Sequence, residues 1–563
     1  MKITGAEAII KCLEEQGVDL IFGYPGGAVL PLYDALYGSN ITHILPCHEQ
    51  AATHAADGYA RASGKVGVVF ATSGPGATNT VTGIANAYMD SVPMVVFTGQ
   101  VALSLLGKDS FQEVDITGIT MPITKHNYIV KDAQRLPNII REAFNIARSG
   151  RPGPVLIDVP KDIQTTLLDY EPVSVATGYE SCNIYSKTCM DEDELKANIN
   201  QAARLLSEAN SPVIYAGGGV IISRAYEELK AFAEKLKIPV VSSLMGLGGF
   251  PANHPLFLGL VGMHGSRYAN YTVSNSDVLI AIGARFSDRV ISNVQRFAPN
   301  AKIIHIDIDP AEIGKNIRVD VPINGDVKTI LKELLDMVPE KAFNGWNKQV
   351  QQWREQYRLK TDFGPGRVKP QYIVQKIYEL TQGFGIVTTE VGQNQIWAAQ
   401  YFNYAEPRSF ISSGGLGTMG YGLPAAIGAQ LARPDRRVIN VAGDGSFKMN
   451  SNELATAVKY KLPIVEVILN NHALGMVRQW QRLFYQGRFS HTTLGVDTDF
   501  VKLAQAHGAE ALRITRNEEV EDALRHALSI TDRPTLIECD IDNDEKAYPM
   551  VAPGAGIDEI IDE

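Results

Sequence analysis

Little in this sequence marks it for a membrane, a secretory compartment or a nucleic acid. Its five cysteines (Cys12, Cys47, Cys182, Cys189, Cys539) are odd in number, scattered and free of any CxxC spacing. Neither a disulfide framework nor a thiolate zinc site is indicated, and a reducing, cytoplasmic setting is expected. No apolar run approaches the roughly 20 residues that span a bilayer. The N-terminal MKITGAEAIIKCLEEQGVDLIFGYPGG has no hydrophobic signal core. Lysine and arginine total 52 against 62 acidic residues, a formal net charge of -10, and no basic stripe is present to follow a phosphate backbone. Zinc-protease chemistry is missing too. HEQAATH sets Glu49 beside His48, but His54 lies six positions after His48, and the zincin helix needs its histidines four apart on one face.

What the chain has, from end to end, is short β-branched runs alternating with helical stretches: VGVVFAT, PMVVFTG, PVLIDVP, PVIYAGG, PVVSSL, VLIAIG, IIHIDID, GIVTT, RVINVAGDG, IVEVILNN and TLIECDID. Continuous apolar strands separated by helices indicate parallel sheets covered on both faces. At 563 residues the chain is too long for a single core. Breaks in the rhythm near Thr165–Asp191 and Pro339–Pro370 divide it into three doubly wound α/β domains, expected at 1–165, 190–337 and 370–540. A C-terminal arm, 541–563, follows and is expected to be mobile. The outer two domains share the order glycine turn, helix, proline, strand, which fits either a duplication or the general form of an α/β unit.

The strongest chemical signal is GDGSF, Gly443–Phe447, after the strand-like RVINVA. Asn471, the second residue of NN, stands 27 positions beyond Asp444. Gly443 and Gly445 let the backbone approach a phosphate, and a helix expected to begin near Asn450–Glu453 points its positive end there. Asp444 and the Asn471 amide oxygen are hard ligands suited to Mg²⁺, which takes few protein oxygens beside water and diphosphate. A GDG turn alone is common, but strand, GDGS, helix, strand and NN together resemble the diphosphate-binding motif of thiamine-diphosphate enzymes. GLGTMG, Gly415–Gly420, fits GxGxxG, yet it has no convincing strand directly before it and is not read as a nicotinamide site.

The resemblance then narrows. FGYPGGAVLPLYDAL, HEQAATHAADGYARASGKVGV, SGPGATN, FQEVDITG, RPGPVLIDVPKD, GMHG, GARFSDRV, HIDIDPAEIGKN, GLGTMGYGLPAAIGAQ, GDGSFKMN and LGMVRQWQ are similar to the catalytic large subunits of the acetohydroxyacid synthase (biosynthetic acetolactate synthase) family, in order along essentially the whole chain. The resemblance implies decarboxylation of pyruvate and ligation of its hydroxyethyl unit to a second 2-keto acid. Pyruvate as acceptor gives 2-acetolactate; 2-ketobutyrate gives 2-aceto-2-hydroxybutyrate, the first common step toward valine, leucine and isoleucine. It also implies a homodimer or homotetramer with active sites at the dimer interface, and a small regulatory subunit as partner.

Residue roles follow from the same resemblance. Glu49 would activate the cofactor by a hydrogen bond to its pyrimidine ring nitrogen, a charge-assisted contact of about 1.5–3 kcal/mol. Gly27, Gln112 and Lys161 match positions lining the pocket or its entrance. Gly392, Gln393 and Asn394 match a diphosphate-contacting segment, joined by Ser446, Gly417, Gly475 and Met476, and Met419 would lie beneath the thiazolium. The implied metal ligands are Asp444, Asn471 and Ala473. Arg289 would meet the acceptor carboxylate, for which its planar fork is suited, and Trp480 would shape the pocket for the extra methyl of 2-ketobutyrate. The family's RFDDR reads RFSDR here, with Ser287 replacing an acid, so contacts next to Arg289 differ.

FAD is implied across six glycine-marked loops of the middle domain. They carry Gly217, Gly218 and Gly219; Leu244 and Met245; Gly262, Met263 and His264; Arg285; Asp307 and Ile308; Asp326 and Val327. The net reaction is not a redox change, so this flavin would be structural. Other readings are a thiamine-diphosphate/FAD oxidase, a glyoxylate carboligase, disfavoured because that enzyme typically has valine in place of Glu49, and a non-catalytic α/β binding protein.

Overall fold

The computed structural model describes residues 1–173, 190–495 and 498–562. Cys182, Cys189 and most of the first linker stretch lie outside them. Three six-stranded, all-parallel sheets follow one another along the chain. The first is built from Leu20–Gly23, Thr42–Ile44, Gly67–Ala71, Met94–Gln100, His126–Ile129 and Pro154–Pro160. The second uses Pro212–Ala216, Val240–Ser242, Phe257–Leu260, Val278–Ile282, Lys302–Asp307 and Val321–Asn324. The third uses Ile386–Thr389, Phe410–Ile411, Val438–Gly443, Val465–Asn470, Glu510–Ile514 and Thr535–Asp540. Central strands such as Met94–Gln100 and Pro154–Pro160 are buried at every residue, the expected result of helices on both faces.

Counted within each sheet, both outer sheets have strand order 2-1-3-4-6-5 and the middle one 3-2-1-4-5-6. The middle order is that of the dinucleotide-binding fold. The outer sheets share one topology, which a general α/β pattern does not require.

The outer regions also meet directly. Helix Glu49–Ser63 of the first crosses helix Gly422–Ala432 of the third. At the crossing, a Cβ on Gly58 would overlap the Ala425 carbonyl oxygen, and one on Gly428 the Ala55 carbonyl oxygen. Glycine is required there by close approach of two backbones.

Two expectations are corrected, and one holds. The helix expected within the second linker is present as Asn344–Gln356, but it belongs to the middle region rather than to a linker, packing on that sheet through buried Val350 and a hydrogen bond from Trp346 Nε1 to Pro212 O at 3.0 Å. Three residues separate the short strand Phe410–Ile411 from GLGTMG, so no strand stands directly before that motif. The C-terminal arm is docked on the middle region: Met550, Val551 and Ile557 are buried, and the Val551 N–H donates to Met263 O at 2.8 Å. Among the described residues, no helix is long and apolar enough to cross a membrane.

Candidate active site

In the third region the motif residues converge at the carboxyl ends of three neighbouring strands. Gly392 follows Ile386–Thr389, Gly443 ends Val438–Gly443, and Asn471 follows Val465–Asn470. The first two strands flank the point where the strand order reverses, the crevice in which open α/β sheets bind ligands. Gly392 has φ +153° and Gly417 φ +72°, conformations that disfavour a side chain. Asn394 is locked by donating to Glu390 O and Val441 O, each at 2.8 Å. Gln393 donates to Gln479 Oε1 at 2.8 Å and accepts from Asn471 Nδ2 at 3.3 Å. A Cβ on Gly475 would overlap Gln393 Oε1, so that glycine serves packing between the two segments.

Asp444 is 3% exposed, and burial pushes its carboxyl up to about 6 against the pull of the Gly445 N–H, His472 and Lys448. A desolvated carboxylate of this kind is relieved by a bound cation. Among the described residues the Asn471 amide oxygen accepts only from the Ala473 N–H, at 3.1 Å, which leaves a lone pair. One acid, one amide and one carbonyl fit Mg²⁺, and the bare backbone at Gly392 and Gly417 fits a diphosphate. The expected helix is present and begins at Glu453. A single turn, Asp444–Phe447, begins at the motif itself, while helix Glu453–Lys459 aims its first carboxylate at the Cys47 N–H, 3.0 Å away.

The other four motif residues lie in the first region, also at carboxyl ends of strands. Glu49 opens helix Glu49–Ser63 after Thr42–Ile44, with the His48 ring as its N-cap, accepting from Gln50 N at 3.1 Å. Its carboxylate is buried and accepts from Asn79 Nδ2 at 2.9 Å. Gly27, Gln112 and Lys161 follow other strands of the same sheet. Gln112 has φ +59° and packs on Gly74, φ +60°, whose Cβ would lie 2.9 Å from that of Gln112. A left-handed non-glycine residue held in this way is the kind of strain found at functional sites. Among the described residues, no hydrogen bond or ion pair within the chain joins Glu49 to Gly443–Ser446 or Asn471.

A cavity of about 2260 Å³ lies where all three regions meet, its wall including Arg61, Asp90 and Arg151 of the first. It takes in Gly218, Leu244, Met245, Met263, His264, Arg285, Asp307, Ile308, Asp326 and Val327 from the middle loops, and Gly392, Gly417, Met419 and Met476 beyond them. Its size and open backbone fit a dinucleotide. Gly219 lines it too; at Gly217 and Gly219 a Cβ would also overlap backbone at Gly283 and Ala284, and Gly262 lies against Arg289 and Val290. Burial holds the His264 ring neutral, its pKa down at about 4. At the cavity wall Arg289 lies over the Trp480 ring, 5.7 Å from its centroid. Asp288 stands 3.7 Å from the Arg289 guanidinium.

The N-terminal, central and C-terminal domain models of the thiamine pyrophosphate enzymes match residues 3–119, 199–334 and 390–539. A probable acetolactate synthase large subunit of Methanocaldococcus jannaschii is 52% identical over 99% of this chain and 95% of its own length. The acetolactate synthase isozyme 3 large subunit of Escherichia coli is 46% identical over 99% and 98%. The acetolactate synthase large subunit of Haemophilus influenzae is 45% identical over 100% and 98%. The chain belongs to the acetolactate synthase large-subunit family. Its Arg289–Trp480 contact joins two segments of this family's sequence that are remote along the chain.

Two features of this family member escaped the sequence reading. Glu390, fully buried, accepts from Ser446 Oγ at 2.6 Å and from Gly420 N at 2.8 Å. Burial raises its pKa, opposed by Ser446 and nearby backbone N–H groups. It thus ties EVGQN, GLGTMG and GDGSF together. The second is a buried cluster of Asp57, Arg61 and Asp90. Burial opposes the Arg61 charge, but Asp57 and Asp90 outweigh it and hold the guanidinium protonated. Glu390 stands two residues before Gly392 and was open to suspicion; no motif marks the cluster.

Proposed function

We propose that this chain is the catalytic subunit that condenses pyruvate with a second 2-keto acid, giving 2-acetolactate or 2-aceto-2-hydroxybutyrate. The observation that carries the reading is the Arg289–Trp480 pair in the wall of the cavity that Gly392 and Met419 also line. It offers a cation for an acceptor carboxylate and an apolar wall for its alkyl group. The chemistry supplied by bound thiamine diphosphate is decarboxylation of a 2-keto acid and transfer of the remaining two-carbon unit to another.

The chain's residues hold and orient. Asp444, Asn471 and the Ala473 carbonyl would hold Mg²⁺, and Gly392, Asn394, Gly443 and Ser446 would receive the diphosphate. Glu49 would place its carboxyl against the pyrimidine, a role suited to an acid shielded from water. Since, among the described residues, no hydrogen bond or ion pair joins Glu49 to the Asp444 segment inside one chain, we assign the two halves of each site to two subunits of a homodimer. Exposed apolar residues around both faces, among them Phe111, Met121, Met449 and Val477, are suited to such an interface. The middle loops would hold FAD in a structural role, and the relatives' designation as large subunits supports a small regulatory partner.

The test is a competition assay with thiamine diphosphate, Mg²⁺ and FAD, supplying pyruvate and 2-ketobutyrate together and quantifying both products. Preferential formation of 2-aceto-2-hydroxybutyrate is expected. Acetolactate alone would leave carboligation standing and remove the role given to Trp480. Oxygen or quinone consumption without either product would favour an oxidase.

A further inference from the structure

The loop Ser413–Gly420, which carries Gly417 and Met419, belongs by sequence to the third region. Much of what fixes it comes from the first. The Asp90 carboxylate accepts from two successive backbone N–H groups, Gly414 at 3.0 Å and Gly415 at 2.7 Å. Asn86 Oδ1 accepts from Ser413 Oγ at 2.5 Å and from Thr418 Oγ1 at 3.3 Å, and Ser413 Oγ in turn accepts from the Thr418 N–H at 2.8 Å.

Behind these contacts stands a buried charge cluster. Arg61 donates to Asp90 at 2.8 Å and to Asp57 at 2.6 Å, while Asp57 also accepts from Tyr421 Oη at 2.6 Å and Asn86 Nδ2 at 3.0 Å. The side chains of Asp57 and Asp90 are fully buried and that of Arg61 nearly so. The middle region reaches the same point, where Arg285 Nη1 donates to the Met89 carbonyl at 2.7 Å. Asp90 therefore stands where three regions meet, against a loop that walls the large cavity. Charge-assisted bonds to adjacent backbone N–H groups fix a segment in both position and orientation.

We propose that Asp90 is a positioning residue for the cofactor, setting the backbone of Gly414–Gly420, with Asp57 and Arg61 fixing Asp90 in turn. The inference rests on the reading of that loop as contacting thiamine diphosphate. It adds that the loop's geometry is imposed by the N-terminal region of the same chain, and that loosening it weakens cofactor binding without emptying the flavin site.

The test uses the full-length holoenzyme, stripped of thiamine diphosphate by dialysis and retaining flavin. The cofactor is titrated back at saturating Mg²⁺ and followed by tryptophan fluorescence, with flavin content read from its absorbance and unfolding temperature measured in parallel. For Asp90→Asn, a rise of about tenfold or more in half-saturating thiamine diphosphate is expected, with flavin content unchanged, since small misplacements of a positioning segment have large effects. Tyr421→Phe keeps its ring and removes one donor to Asp57, and should raise the value by about threefold on the same reasoning. Lys65→Ala, which breaks only the exposed pair with Asp19, should leave it unchanged.

An unchanged half-saturation in folded Asp90→Asn overturns the proposal. So does parallel loss of flavin and thiamine diphosphate with falling unfolding temperature, the mark of general destabilisation. Should Asp90→Asn not fold, an unchanged value in Tyr421→Phe overturns it. Wild-type protein that binds no thiamine diphosphate refutes the underlying functional reading instead, so the two failures are distinguishable.

Discussion

The two outer regions have one strand order and opposite equipment. The first presents at its strand ends a buried acid, Glu49, with exposed Gly27 and Lys161 nearby. The third presents bare glycine backbone, the buried Asp444 and an amide. On the proposed reading, the first places a single proton-handling carboxyl and the third receives an anion and its counter-cation. Function here resides in what stands at the strand ends of a shared scaffold rather than in the scaffold. The middle region, with its different strand order, contributes many of the residues that wall the large cavity.

If that division is right, its two halves fail differently. Glu49→Gln should lower kcat by about 10²–10⁴, the usual range for a positioned acid or base, while equilibrium titration shows thiamine diphosphate still bound. Asp444→Ala should do the reverse, raising half-saturating Mg²⁺ and cofactor by about 10²-fold, with chelation of Mg²⁺ from wild type giving the same loss. Equal effects on binding from both variants would erase the distinction. Gly428→Ala should strain the helix crossing where the two regions meet and destabilise the fold by about 1–3 kcal/mol, read by denaturant unfolding of flavin-loaded protein. The smallest effect belongs to Trp480→Leu, which should shift the 2-ketobutyrate preference by about 1–3 kcal/mol or less without altering pyruvate decarboxylation.

Legibility in the sequence followed burial. The β-branched runs that announce strands, such as PMVVFTG and IVEVILNN, lie in sheet interiors where both faces are covered. Periodicity passes over His126–Ile129, Phe257–Leu260, Val321–Asn324, Phe410–Ile411 and Glu510–Ile514, and all of these are edge strands. An edge strand such as Glu510–Ile514 is only partly buried, so its composition need not be apolar.

In the site, Asp444 and Asn471 were legible because their chemistry demands a fixed local spacing. Glu49 became interpretable only beside them. The Asp57–Arg61–Asp90 cluster joins an i, i+4 pair on one helix to a residue 29 positions on, and it serves a loop more than 300 residues away. A charge run of that kind reads as a solvated helix face until the fold buries it.

The central claim is that each active site takes Glu49 from one subunit and Asp444 from the other. Its most direct test is to unfold, mix and refold equal amounts of Glu49→Gln and Asp444→Ala, each inactive alone, and assay acetohydroxy acid formation. Random pairing in a twofold dimer makes half the dimers mixed, each with one intact site, so about a quarter of wild-type activity should return. A mixture no more active than its parents, with mixed dimers shown to be present, would place both residues in one chain's site and contradict the account.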